Sequence, residues 1–223
     1  MTNRRTSTCP ELGGNRTRKY SVDLGRYTAL HSEGRHLIST WFQRAWQKRD
    51  CHKDEAFEPF IFTWFAFNGW AACVTEQDTD RDMINALALD ERINSTFTSL
   101  IESDTKFKQI SNRFFEFLPI FDVRSLQKKR ILRYNSGDRR KLVNFYLEKG
   151  VTKFEPKCWK CHHDNNETAP MDWSHFITAV YQVRCNLFHG WKAAHSEMDQ
   201  VIVHSAYLSL AMFLFKAGYI DPL

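Results

Sequence analysis

The run EMDQVIVHSAYLSLAMFLFKAGY, residues 197–219, is apolar nearly all round between Val201 and Phe215. A helix without a polar face cannot rest on a surface, because some of its apolar side would always meet water. The run is too short for a bilayer, which needs roughly 20 predominantly apolar residues. It therefore predicts a central buried helix, and such a helix demands several amphipathic neighbours to cover it.

Those neighbours are present. From Leu24 to Arg49, apolar residues recur as Leu30, Leu37, Ile38, Trp41, Phe42, Ala45 and Trp46, the one-sided spacing of a helix. The segment FEPFIFTWFAFNGWAACVT, residues 57–75, sets Phe57, Ile61 and Trp64 on a stripe whose next member is Asn68, an amide at an expected core position. Met83, Leu87, Ile93, Phe97 and Leu100 predict a third helix between Asp80 and Asp104. Phe107, Ile110, Phe114 and Leu118 predict a fourth, which Pro119 interrupts. Asp172 suits the N-cap of a helix carrying Phe176, Val180, Val183 and Leu187 on one face, with Gly190 as its C-cap. No run shows the alternation of a strand, and no internal repeat is present.

The expectation is an all-α chain, an antiparallel four- to five-helix bundle with additional short helices. One domain is expected over residues 21–223. Residues 120–171, with weaker periodicity, turn signals at NSGD and EKG, and the polar loop CHHDNNETAP, read as an inserted or peripheral region. Residues 1–20 are polar and basic, with too few apolar side chains to offset ordering, and read as a disordered arm. A hydrophobic share of 43%, with 18 Phe and 7 Trp, supplies ample material for the core.

Six cysteines spread through a chain without an evident export signal predict thiols rather than a disulfide framework, a cytoplasmic address and no membrane association. The net charge of +5 is modest but uneven: Arg124, Lys128, Lys129, Arg130, Arg133, Arg139, Arg140 and Lys141 crowd one stretch with only Asp138 against them. That stretch suits a polyanion; its plainer reading is a solvated basic face with no specific ligand.

The segment AVYQVRCNLFHGWK, residues 179–192, carries Arg184, Asn186 and His189 within an apolar helical run. Arg184 lies about 40° from Val180 around a helix, so it flanks the core stripe. His189 is about 140° from Arg184, and the two reach one point only if the helix ends or unwinds near Gly190, or if the cleft is wide. Arginine offers a planar, permanently charged fork for phosphate oxygens, and histidine exchanges protons near neutral pH. Together they suit cleavage of an RNA phosphodiester, where the attacking 2′-hydroxyl is already present and no metal or other cofactor is required. Asn186 would orient either partner or bind the phosphate. The structural alternative is an ion pair between Arg184 and a carboxylate such as Glu76, with the histidine as a favourable charge at a helix C-terminus. For Asn68 the alternatives are a buried amide fixing helix register and a cleft residue supporting Arg184.

The stretch RCNLFHG, with Tyr181-x-x-Arg184 before it and Leu187-Phe188-His189-Gly190 at its end, resembles the R-x(4-6)-H signature of the HEPN superfamily. The resemblance implies a four- or five-helix bundle that dimerises and brings two copies of the motif into one cleft. It also implies a frequent activity as a metal-independent endoribonuclease, often in toxin–antitoxin, phage-defence or RNA-processing systems, where an inhibitor or antitoxin protein is a further partner. Carried across, Arg184 stabilises the phosphorane and His189 transfers protons, leaving a 2′,3′-cyclic phosphate and a 5′-hydroxyl. Asn186 is the third catalytic candidate. Asn68 and Tyr181 are expected in the substrate cleft, and Lys128, Lys129, Arg130, Arg133, Arg139 and Arg140 are expected to guide RNA by charge. Many members place a polar residue directly after the arginine, where this chain has Cys185. Other members are non-catalytic, which leaves a module binding nucleotide, nucleic acid or protein as the alternative.

Two further arrangements offer chemistry. Cys158-x-x-Cys161 followed by His162 can begin a tetrahedral zinc site, but no second Cys-x-x-Cys completes it, and exposed loop thiols are the plainer reading. Cys185 and His189, four residues apart on one helix face, have the elements of a nucleophile and base without an identifiable third member. The sequence holds no Gly-rich phosphate loop and no Ser elbow.

Overall fold

The computed structural model describes residues 20–131, 138–165, 167–188 and 197–223. In chain order the helices are α1 (Gly25–Ala29), α2 (Ser32–Trp46), α3 (Phe57–Thr75), α4 (Asp80–Ala88), α5 (Glu91–Ser103), α6 (Thr105–Phe115), α7 (Val123–Lys128), α8 (Arg139–Glu148), α9 (Trp159–Asp164), α10 (Trp173–Phe188) and α11 (Glu197–Lys216). Strands β1 (Ile120–Phe121) and β2 (Phe154–Glu155) form one antiparallel pair, with Phe121 opposite Phe154. Two residues are too few to show an alternating pattern, which is why neither strand is legible in the sequence.

Among the described residues the chain is all-α apart from that pair, and its long helices form a bundle. Trp41 of α2 stacks on Phe62 of α3, and a Cβ at Gly69 would stand 2.9 Å from Ile38 Cγ1. Later residues of α3 thus meet earlier residues of α2, and the pair is antiparallel. Glycine at 69 is what allows this close approach. Lys53, just before α3, bonds to Glu197 at the start of α11, while Trp70 stacks on Tyr219 just after α11, so these two helices run in the same sense. Trp173, the first residue of α10, packs against Phe213 near the end of α11. The four long helices therefore alternate in direction along the chain.

The predicted central helix is α11. By length and composition alone it is apolar enough to cross a membrane, yet its apolar side chains are mostly buried among its neighbours. Val203, Ala206, Tyr207, Leu210, Phe213 and Leu214 are fully enclosed, and the Tyr207 hydroxyl donates to Ala45 O at 2.6 Å. Phe97, Phe107, Trp173, Phe176 and Phe213 form one aromatic cluster at the heart of the bundle.

The structure corrects several expectations. The first predicted helix is two, because the chain breaks at Leu30 and His31 caps α2, its ring nitrogen accepting from Gly34 N at 3.0 Å. Leu37, read as a core residue, is 55% exposed. The segment from Asp80 to Asp104 is also two helices, since Asp90 caps α5 through bonds from Arg92 N and Ile93 N. On α3 the enclosed residues include Phe60, Thr63, Trp64, Phe67, Trp70, Ala71 and Val74, so of the expected stripe Trp64 is enclosed, while Phe57 and Ile61 are half-buried and Asn68 is half-buried rather than a core amide. The predicted arm, up to residue 19, and the predicted Gly190 cap lie outside the described residues.

The region after α6 has a small core of its own: Phe121, Leu126, Val143, Tyr146, Val151 and Phe154. It leans on the bundle through α10, against which both strands pack.

Candidate functional site

Val180 and Val183 bury themselves in the bundle, and Arg184 emerges beside them near the end of α10 with 22% of its side chain exposed. Its Nη2 meets Oδ2 of Asp80, the first residue of α4, at 2.8 Å. Its guanidinium carbon lies 5.6 Å from the Trp64 ring and 4.7 Å from the Phe188 ring. A guanidinium is weakly hydrated and planar, so aromatic faces hold it well. The ion pair of Arg184 with a carboxylate, offered as the structural alternative with Glu76 as its example, is present. Asp80 supplies that carboxylate, and Glu76 pairs with Arg26 at 3.0 Å. The Nε of Arg184 is buried and makes no hydrogen bond among the described residues.

Tyr181 lies one turn earlier, 6.1 Å from Trp64, with Arg81 above its ring at 5.8 Å. Burial, and then the neighbouring Cys185 thiol, push its phenol up to about 12, so it remains a neutral donor at physiological pH. Trp64, one turn before Asn68, is the α3 residue whose ring Arg184 overlies. Phe65 and Phe188 are exposed at 39% and 40% and meet edge to face at 6.2 Å, forming an apolar face beside the arginine. His189 lies outside the described residues, as does its spacing from Arg184.

Asn186 has a different part from the one expected. Two residues beyond Arg184, it points about 200° around the helix and is only 2% exposed. Its Nδ2 donates to Phe121 O at 2.8 Å, and its Oδ1 accepts from Val123 N at 3.1 Å and from Gln182 Nε2 at 3.1 Å. The amide is occupied in holding the backbone that leaves β1 for α7.

The basic stretch divides. The Arg139 side chain turns inward, its Nη2 donating to Phe117 O at 2.6 Å and to Pro119 O, and burial draws its guanidinium down to about 10. It pins the start of α8 to the end of α6, which sets it apart from a mobile cation facing RNA. Lys129 donates to Gly150 O at 2.6 Å. Lys128, Arg130 and Arg140 are exposed, as are Arg124 and Lys141, while Arg133 lies outside the described residues. A cleft of about 430 Å³ opens here, lined by Glu116, Asp138, Arg139, Arg140, Trp159 and His163; Arg184 does not border it.

The cysteine–histidine loop also differs from its reading. Cys161 is exposed, and His163 stacks on Trp159. Cys158 and His162, four residues apart, instead converge with His175 of α10, their ligand atoms within 4.8 Å of one another. Cys158 Sγ stands 2.8 Å from His175 Nε2, and His175 Nδ1 stands 2.6 Å from Asp172 Oδ1. Sequence reasoning missed His175 because it sought all ligands within one loop. The usable signals were the helical Cys-x-x-x-His spacing and Asp172-x-x-His175.

Comparison of the chain with known protein families, curated proteins and solved structures found no match.

Proposed function

We propose that the protein is a metal-independent endoribonuclease of HEPN type, acting as a homodimer with Arg184 and His189 as its catalytic pair. The observation that carries this reading is the setting of Arg184: an arginine shelved on Trp64 and Phe188, anchored at one edge by Asp80, and with 22% of its side chain exposed at the end of α10. An arginine fixed in this way loses little conformational freedom when it meets a phosphate.

In the proposed reaction a base removes the 2′-hydroxyl proton as O2′ bonds to phosphorus. The bond from phosphorus to O5′ breaks, and an acid returns a proton to O5′. His189 supplies one of these transfers, its counterpart in the second copy the other, and Arg184 stabilises the charge on the phosphorane. The exposed pair Phe65 and Phe188 gives a second copy an apolar face to cover beside the cleft. Arg124 and Lys128 of α7, whose first residue bonds to Asn186, add positive charge near the same end of α10. Asp80 is a positioning residue in this scheme, and Asn186 supports the fold.

The test is digestion of single-stranded RNA in EDTA. Cleavage by the wild type is expected to survive the chelator, to leave 2′,3′-cyclic phosphate ends, and to fall by roughly 10²-fold or more in Arg184→Ala and His189→Ala. Equal activity in the wild type and both folded variants would sink the proposal, as would binding of RNA without cleavage, which favours the non-catalytic module.

A further inference from the structure

We propose that Cys158, His162 and His175 form a zinc site that fastens the peripheral region to α10, with Asp172 and Glu167 as the carboxylates that orient its two histidines. The three ligand atoms already lie within 4.8 Å of one another. In each imidazole the outer nitrogen faces an acid: His175 Nδ1 is 2.6 Å from Asp172 Oδ1, and His162 Nδ1 is 3.3 Å from Glu167 Oε2. This pattern protonates Nδ1 and turns the Nε2 lone pair inward, as metal-binding histidines require. His162 Nε2 is buried and has no hydrogen-bond partner among the described residues. A buried ring nitrogen left in that condition is costly, and a metal ion would relieve it.

The donor set selects the ion. One thiolate and two neutral imidazoles suit zinc and are poor ligands for calcium or magnesium, which take oxygen. Ligand bonds of about 2.3 Å to sulfur and about 2.0 Å to nitrogen place tetrahedral ligand atoms roughly 3.5 Å apart. Cys158 and His175, now at 2.8 Å, need to separate by under roughly 1 Å. Binding releases the Cys158 thiol proton to solvent, and water completes the fourth position. Asp172 and Glu167 offset the remaining positive charge.

The line Cys158, His175, Asp172 also has the order of a thiol nucleophile, its base and an orienting acid. That arrangement gives no place to His162 or Glu167, whereas a metal uses both. His175 precedes Arg184 by nine residues, roughly 13 Å along the helix, so the ion is a structural tie independent of the proposed RNA chemistry.

Full-length protein purified without chelator is expected to carry a single zinc per chain by elemental analysis. Its cobalt(II) form should show a thiolate-to-metal charge-transfer band and the intense visible bands of a four-coordinate site. Cys158→Ser should abolish the charge-transfer band, Cys161→Ser should leave it intact, and Asp172→Asn should weaken zinc binding roughly 10–100-fold. The wild-type cobalt spectrum reports thiolate ligation even if a variant fails to fold. Wild-type protein that takes up neither ion at micromolar concentration overturns the proposal, as does a cobalt spectrum unchanged by Cys158→Ser. Rapid alkylation of Cys158 that zinc does not slow overturns it in favour of the thiol nucleophile.

Discussion

The bundle and the peripheral region are held by opposite means. The bundle encloses Trp64, Trp70, Trp173, Phe97, Phe107, Phe176 and Phe213 in one continuous core, in which each side chain is supported by many others. The region from β1 to α9 has six buried apolar residues of its own, sets Ile120 into the bundle core, and is further fastened by polar clasps: Asn186 to β1, Arg139 to the turn after α6, and Cys158 to His175. Apolar contacts are individually weak and redundant, whereas a buried polar clasp is specific and fails when one partner is removed. The bundle should therefore respond to damage as a unit, and the periphery at single points.

The sharpest contrast comes from cutting the aromatic cluster. Phe213→Ala or Trp173→Ala is expected to cost about 3–5 kcal/mol, with the whole chain unfolding at correspondingly lower denaturant. Calorimetry showing a small change confined to one part of the transition would break the comparison. Asn186→Ala should cost less, about 1–3 kcal/mol, because it leaves Phe121 O and Val123 N without their partner. Hydrogen exchange should quicken across residues 120–131 and leave the amides of α11 protected. Uniform quickening would mean that the two regions share one cooperative unit.

The smallest effect concerns pH. Burial, with Arg113 adding to it, lowers the His204 imidazole below its ordinary value, so the folded chain favours the neutral ring. The unfolded chain then binds the proton more readily. This contribution is complete above about pH 6.5, the ordinary histidine value, and is lost as pH falls through the lower folded value. Thermal melts at descending pH should show a loss of stability that His204→Gln reduces. A melting temperature independent of that substitution between pH 7 and 5 would exclude the effect.

The bundle was legible in the sequence because periodicity reports burial directly. The quoted run at 57–75 coincides with α3, Asp172 caps α10 through His175 N at 2.9 Å, and the all-round apolar run lies within the central helix. Periodicity could not locate the breaks at Leu30 and Leu89, since apolar spacing carries on across a cap and only local side-chain bonds to His31 and Asp90 end one helix and begin the next. The candidate site was legible in part. Arg184 flanks the core as its 40° offset from Val180 implies, but its carboxylate came from α4, beyond any local signal. Asn186 looked like a cleft residue because a buried amide and a reactive one are the same letter. What separates them is which backbone arrives from 63 residues away.

The clasp at Asn186 addresses only main-chain atoms of the peripheral region, the carbonyl of Phe121 and the amide of Val123. It is blind to side-chain identity on that strand edge. The excursion can thus be rewritten, lengthened or given other exposed charges and still seat on the same helix while this single carboxamide is retained.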